Sequence, residues 1–198
     1  AKAMDAGFRL IIVLGGLQNT LRAQTQRRLD KELVGREMLS AGSDEYQSDS
    51  DWDDFNRHGG IPELEGAFNI DRLTTGTQDF RNPPGDLSRL RFQKSNHSLP
   101  FNHQENLGRH PAKLIVIKKN KTPLTNLLRA LERSASVGID WSEVPSLIID
   151  DESDQASLNA KKPSASDQRK RTEINRLIVE ILATLKRSQY VGYTATPF

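Results

Sequence analysis

Three consecutive acidic residues, with a fourth close behind, follow an apolar run in the last third of the chain. Leu147–Ile149 leads into Asp150, Asp151 and Glu152, and Asp154 comes two positions later. The apolar run predicts a strand buried in a sheet. Carboxylates at this spacing repel one another and resist burial. The strand is therefore expected to end at a crevice where a divalent cation offsets their charge, as in nucleotide hydrolases. The alternative is a solvated acidic turn after a core strand.

A second strand pattern, at the end of the sequence, accompanies this acidic box. The Asp-Glu-x-Asp box at Asp151–Asp154, followed later by Thr194–Pro197, resembles motifs II and III of superfamily 2 helicases and translocases. With Gly7–Gly16 and Leu21–Leu29 added, the sequence resembles the helicase-like ATPases that carry a Z1 domain. That family is described as endonucleases and is associated with bacterial restriction and defence loci. The resemblance runs in order along most of the chain, except between residues 35 and 111.

The resemblance implies a nucleotide site at the acidic box, with Mg²⁺ and ATP as cofactors of the complete protein. The implied activity is that of a nucleic-acid-dependent ATPase, a helicase-like or translocase-like motor of a DNA restriction or defence system. Asp151 is implied to hold Mg²⁺ through water, and Glu152 to orient the attacking water as a base. Phosphoryl transfer needs little from a protein beyond such positioning and charge neutralisation. Asp150, which precedes the box, is interpreted as structural.

The remaining box residue and the terminal threonines are implied to couple the nucleotide site to the nucleic-acid groove. Asp154 matches the position that links the box to motif III, and Thr194 and Thr196 match the hydroxyl groups of motif III. Ser and Thr also commonly cap strand ends. The two roles are compatible.

The stretch Gln18–Thr25 resembles motif Ia, where backbone amides and small polar side chains at a helix N-terminus bind phosphates of the nucleic acid. Two lysines that end a predicted strand extend the same groove. The side chains expected to contact DNA are Asn19, Thr20, Arg22, Gln24, Lys118 and Lys119. The alternative for Gln18–Thr25 is an ordinary capped surface helix, and the alternative for the lysines is a solvated basic turn.

The alternative function is that of a metal-dependent endonuclease, or of a DNA-binding module without ATPase activity. A restriction-type nuclease needs a carboxylate and a nearby Glu-x-Lys, and no Glu-x-Lys occurs in this sequence. His97, His103 and His110 lie in a stretch that also contains asparagines, as in a His-Asn-His nuclease loop. The flanking prolines and glycine favour an irregular polar loop instead.

Apolar runs and helical periodicity indicate the elements that must position these residues. Strands are predicted near Phe8–Leu14, Leu114–Lys118, Leu147–Asp151 and Tyr190–Tyr193. Helices between them give an α/β fold, a mostly parallel sheet flanked by helices. The resemblance implies that this fold is a RecA-like (P-loop NTPase) lobe. The C-terminal ends of the strands are expected to share one edge, bringing together Gly15, Lys119, Asp151 and Thr194.

Residues 36–111 interrupt this pattern with an acidic stretch and recurrent glycine and proline. They predict a long irregular insertion, and residues 1–35 and 112–198 the partial RecA-like lobe. Six phenylalanine and tryptophan residues indicate that the insertion packs in part, because disordered segments rarely hold so many aromatics. They are Trp52, Phe55, Phe68, Phe80, Phe92 and Phe101.

The amino-acid composition excludes few classes of function. The net charge of +2 does not identify a nucleic-acid binder, so any basic surface must be local. The absence of cysteine fits a reducing cytoplasm, and no apolar run approaches the length of a membrane span, so a cytoplasmic protein is expected.

No Gly-x-x-x-x-Gly-Lys-Ser/Thr phosphate loop occurs in the 198 residues. The resemblance implies an incomplete lobe, with that loop upstream of Ala1 and a second RecA-like lobe and the Z1 domain after Phe198. We therefore expect this chain alone neither to hydrolyse ATP nor to bind it tightly. The strand at Gln189–Tyr193 is expected to be an unpaired edge, which the chain covers or which mediates self-association.

Overall fold

The computed structural model describes residues 2–34, 70–81, 90–108, 110–153 and 165–194, with the backbone alone for 165–172. The sheet has five strands: β1 Leu10–Gly15, β2 Ile70–Arg72, β3 Ala112–Lys118, β4 Ser146–Asp151 and β5 Ser188–Tyr193. All are parallel, in the order β2-β3-β1-β4-β5. The predicted α/β fold with a parallel sheet flanked by helices is confirmed, and it is consistent with a RecA-like architecture.

Five α-helices accompany the strands within the described ranges. They are α1 Lys2–Asp5, α2 Asn19–Leu29, α3 Gln104–Leu107, α4 Lys121–Ser136 and α5 Ala165–Thr184. A π-helical segment, Asp30–Val34, continues α2. None of these described helices combines the length and the apolar character needed to cross a lipid bilayer.

Alternate residues of β1 face two separate cores. Leu10, Ile12 and Leu14 pack with α4 and α5, whereas Ile11 and Val13 pack with α1 and the π-helical segment. Side chains alternate across a strand, so a strand that is buried on both faces must be apolar throughout. This explains the unbroken apolar run that predicted the strand.

The carboxyl ends of the strands lie at one edge of the sheet, as expected for parallel strands. Gly15 of β1 pairs with Lys118 of β3, and Asp151 of β4 pairs with Tyr193 of β5. The four residues that were predicted to come together all reach this edge: Gly15, Lys119, Asp151 and Thr194.

A short strand lies inside the stretch that was predicted to be irregular. β2 pairs with β3 at the sheet margin, through Ile70–Arg72. Only Ile70 of these residues is buried, and the next two are charged. A strand this short shows no hydrophobic period, which is why the sequence did not predict it.

The aromatic residues of the same stretch pack in part, as predicted. Phe80, Phe92 and Phe101 are buried in the core on the α4 and α5 side of the sheet, where they join Trp141 of the loop after α4. The other three of the six phenylalanine and tryptophan residues, Trp52, Phe55 and Phe68, lie outside the described residues.

Helix α2 packs a polar side against the sheet. Leu21, Leu29 and Leu33 lie along one side of the helix and are half-buried. The fully buried side chains are those of Arg22 and Gln26. Polar partners from residues 70–79 make the burial of this side favourable.

Candidate functional site

The acidic turn follows β4, between β1 and β5. Asp151 ends the strand, and the next residue, Glu152, has a backbone φ of 58°. Glu152 alone has a positive φ among the non-glycine residues that the structure describes. This left-handed conformation costs a side-chain-bearing residue about 1–2 kcal/mol, so the surrounding structure must hold it.

Lys119 supplies the contacts that hold the turn. Its Nζ donates hydrogen bonds to Asp150 Oδ1 at 2.8 Å, to the Asp151 carbonyl oxygen at 2.7 Å and to the Glu152 carbonyl oxygen at 2.7 Å. An ammonium group has three hydrogens to donate, and this side chain is 0% exposed. Lys119 therefore has no donor left for a phosphate. The prediction that it contacts DNA was wrong, because the residue points into the protein.

Asp150 is the buried counter-charge of this lysine. Its second oxygen, Oδ2, accepts a hydrogen bond of 2.6 Å from the hydroxyl group of Tyr190 on β5. Burial, and after it the hydrogen bond to the Asp150 carboxylate, raise the pKa of Tyr190 above its ordinary value. The structural interpretation of Asp150 agrees with these contacts.

The Glu152 side chain carries an unpaired polar atom. Its Oε2 is buried and has no hydrogen-bond partner among the described residues. It also lies close to the turn after β1, since a Cβ atom added at Gly16 would be 2.9 Å from it. Buried carboxylate oxygens normally have partners, and exceptions are enriched where a ligand or cation completes the site.

A cleft of about 340 Å³ opens beside the acidic turn, between α2 and the end of β5. Its apolar floor comes from β1 and β4, and its polar groups from the turn and from α2. The lining residues are Val13, Gly16, Leu21, Gln24, Thr25, Arg28, Leu29, Ile149, Asp151, Glu152 and Tyr193. Two carboxylates and a guanidinium group thus line one concave surface, which is a common arrangement for a polar ligand.

The acidic turn is also tied to the end of β5. The Ser153 backbone amide donates a hydrogen bond of 2.8 Å to the Tyr193 carbonyl oxygen. Thr194 follows Tyr193 directly and is half-buried at the same edge. The other two predicted coupling residues, Asp154 and Thr196, lie outside the described residues.

Three of the predicted DNA contacts lie on the surface where β3 ends and α2 begins. Lys118 Nζ donates a hydrogen bond of 2.7 Å to Asn19 Oδ1. Thr20, the next residue of α2, is exposed. Gln18 is the N-cap of α2 and makes no side-chain cap hydrogen bond. Gln24, one turn further along the helix, lines the cleft with the carboxylates.

Arg22 does not lie on this surface. It is 3% exposed, and its guanidinium group donates to the carbonyl oxygens of Thr75 at 2.8 Å and Gly76 at 2.6 Å. Asp79 lies 4.0 Å away, and burial raises the pKa of that carboxyl group. The prediction that Arg22 contacts DNA was wrong, because residues 75–79 fold over it.

Two histidines of the stretch that contains His97, His103 and His110 have structural positions. His103 Nδ1 accepts from the Glu105 amide at the start of α3, at 3.4 Å. His110 stacks on Phe92 and meets Phe101 edge-on, and burial lowers its pKa. Nowhere in the described ranges do three His, Cys, Asp or Glu side chains converge as a metal-binding cluster.

Sequence reasoning missed Gly16, Tyr190 and Arg28 as parts of the site. Gly16 signalled only a turn, and Tyr190 appeared only as a strand residue. Arg28 belongs to the side of α2 that faces the cleft, and no motif marks it. The hydrogen bonds of Lys119 to the acidic turn had no local signal either, since they join residues about thirty positions apart.

Comparisons of this chain with protein-family models, with curated proteins and with solved structures each found no match. The resemblance to the Z1-domain ATPases stays a prediction of the sequence.

Proposed function

We propose that this chain forms the nucleotide-site part of a nucleic-acid-dependent ATPase, a helicase-like motor of a DNA restriction or defence system. The observation that carries the proposal is Glu152. It lies at the carboxyl edge of a parallel sheet, where α/β proteins bind ligands. It has a strained backbone and a buried oxygen without a partner among the described residues. Both properties are typical of catalytic positions.

The donor set suits Mg²⁺ at a phosphate. Magnesium in such sites is bound by one or two carboxylates, with waters and phosphate oxygens filling the other positions. Asp151 and Glu152 would hold it, and it would neutralise charge on the phosphates of ATP. Glu152 also acts as the base, accepting the proton of the attacking water through its carboxylate. Gln24 and Arg28 face the same cleft and add polar and positive groups.

Contacts to DNA are assigned to Asn19, Thr20 and Lys118. Lys118 donates a hydrogen bond to Asn19, and Asn19 and Thr20 begin α2, where a helix N-terminus is a common place for phosphate binding. Such contacts position the duplex or single strand without reading its bases. Thr194 is proposed to transmit the state of the acidic turn to this surface. A cytoplasmic location belongs to the same proposal.

The test is ATP hydrolysis, with and without DNA, by the protein at its natural length. Glu152→Gln should retain binding of MgATP but lose turnover about a hundredfold or more, because an amide cannot act as a base. The control is Glu132→Gln, which removes an exposed carboxylate on α4 and should leave turnover unchanged.

Unchanged turnover in Glu152→Gln would remove Glu152 from the mechanism. Metal-dependent cutting of DNA that needs no ATP would support the endonuclease alternative instead.

A further inference from the structure

We propose that Lys119 is the positioning residue of this site, a buried clamp that holds Glu152 in its left-handed backbone conformation. The role of the clamp in catalysis rests on the proposed function. The clamp itself rests on geometry and is tested without any activity.

The first observation is the direction of the two carbonyl groups that Lys119 binds. Successive carbonyl groups of an extended strand point to opposite sides. The Asp151 and Glu152 carbonyl oxygens nevertheless both lie 2.7 Å from Lys119 Nζ. They reach one ammonium group only because the backbone leaves the strand conformation at Glu152, where φ is 58°. The lysine contacts and the left-handed turn therefore require each other.

The second observation is that the lysine is held by Asp150, which is itself held by β5. Asp150 of β4 accepts from Lys119 through Oδ1 and from Tyr190 of β5 through Oδ2. The lysine side chain is 0% and the aspartate side chain 2% exposed. A buried pair of this kind cannot swing into solvent. The carbonyl groups of the turn are thus held from the inside of the protein, while the Glu152 carboxylate faces the turn after β1.

The clamp can be removed without leaving a buried charge. Lys119→Met alone would strand Asp150, and the loss of one partner of a buried ion pair is strongly destabilising. We therefore pair it with Asp150→Leu, since replacing both partners by apolar residues of similar size is often neutral. Lys118→Met, which changes the half-buried neighbouring lysine, is the matched control for the backbone measurement.

The first experiment measures the backbone of Glu152 by NMR in the folded proteins. A positive φ brings the amide proton and Hα of the same residue close together, which gives a strong cross-relaxation signal. We expect this signal in the wild type and in Lys118→Met. It should weaken in Lys119→Met/Asp150→Leu, where the turn relaxes to a negative φ. A signal of unchanged strength in that folded double variant would overturn the clamp.

The second experiment measures the strain. Glu152→Gly and Glu152→Ala both remove the carboxylate, so the difference between their melting temperatures reports the backbone preference. In the wild-type background we expect Glu152→Gly to melt about 2–4 °C above Glu152→Ala, because glycine tolerates a positive φ. In the Lys119→Met/Asp150→Leu background this advantage should vanish or reverse, since glycine then only loses more entropy on folding. An equal advantage in both backgrounds would also overturn the clamp.

A third measurement links the clamp to catalysis. In the protein at its natural length, Lys119→Met/Asp150→Leu should lower kcat for ATP at least tenfold with little change in KM, because Glu152 acts only as the water is attacked. If KM rises by the same factor as kcat falls, the lysine has a general role in folding. That result would overturn the proposal that Lys119 positions Glu152. A wild-type protein without ATPase activity would overturn the proposed function, and the first two experiments would still decide the clamp.

Discussion

Glu152 concentrates two unfavourable features in one residue. Its backbone lies in the left-handed region, and its Oε2 is buried with no hydrogen-bond partner in the described part of the chain. Each feature costs on the order of 1–3 kcal/mol. A structural acid could avoid the second feature by turning its side chain into solvent. The close approach of the β1 turn, at Gly16, instead keeps the carboxylate in place.

Gly16 gives a residue-scale prediction. A Cβ atom there would lie 2.9 Å from Glu152 Oε2 and 2.9 Å from Leu21 Cδ1. Gly16→Ala should therefore destabilise the fold by about 1 kcal/mol, at the low end of overpacking costs, because both atoms end side chains that can move aside. The free energy of unfolding, measured in urea, gives this cost directly.

The control for Gly16→Ala is the same substitution in a Glu152→Ala background. Removing the carboxylate removes one of the two clashes, so the cost of Gly16→Ala should fall clearly below its wild-type value. Equal costs in both backgrounds would mean that Gly16 does not make room for Glu152.

At the scale of the element, α2 shows how a polar helix face becomes an inner face. Gln26 donates to Asp30 Oδ1 at 2.8 Å and accepts from the Thr74 hydroxyl at 2.7 Å. Arg72 donates to Asp30 Oδ2 at 2.6 Å, and Thr74 accepts from the Val116 amide at 2.8 Å. This network connects α2 to β2 and β3. Buried polar groups are tolerated where they are satisfied in this way.

Asp30 gives the element-scale prediction. Its side chain is 0% exposed, and it pairs with an Arg72 side chain that is 9% exposed. Asp30→Ala should cost about 3–5 kcal/mol, because it leaves a buried guanidinium group and a buried amide without their partner. Urea unfolding of the variant measures the loss.

The comparison variant is Leu33→Ala, which truncates a half-buried leucine just after α2. It should cost less than Asp30→Ala, since partial burial leaves less apolar area to lose. A larger cost for Leu33→Ala than for Asp30→Ala would mean that the leucine side is the main contact of this helix.

The limits of sequence reasoning follow from the same elements. β1, β3 and β4 could be predicted because burial on both faces requires continuous apolar runs. The convergence of Gly15, Asp151 and Thr194 then followed from parallel pairing alone. The buried face of α2 could not be predicted, since its partners, Arg72 and Thr74, come from a segment without a periodic pattern. The contacts of Lys119 could not be predicted either, because nothing in the local sequence distinguishes a buried lysine from an exposed one.

At the scale of the whole molecule, the described sheet is unevenly covered. α4 and α5 cover one face, and α2 covers β1 and β3 on the other. β5 pairs with β4 alone among the described strands, so its outer side is an edge of that sheet. Tyr190, Val191 and Tyr193 are 44%, 37% and 61% exposed. Strands of parallel sheets are normally buried on both faces, and this exposure is the basis for the prediction of association that follows.

We therefore expect two copies of this chain to associate through antiparallel pairing of their β5 strands. A two-fold arrangement would bring Lys186 and Arg187, both exposed before β5, towards the strand end that carries Asp151 in the other copy.

Light scattering across a range of concentrations should show a dimer in equilibrium with the monomer. Val191→Lys should shift that equilibrium to the monomer, because a charged residue on an edge strand opposes pairing. Val179→Lys is the control, since it changes a valine of α5 that is 62% exposed and lies away from the edge. A wild-type chain that stays monomeric at all concentrations, or equal effects of the two substitutions, would contradict pairing through β5.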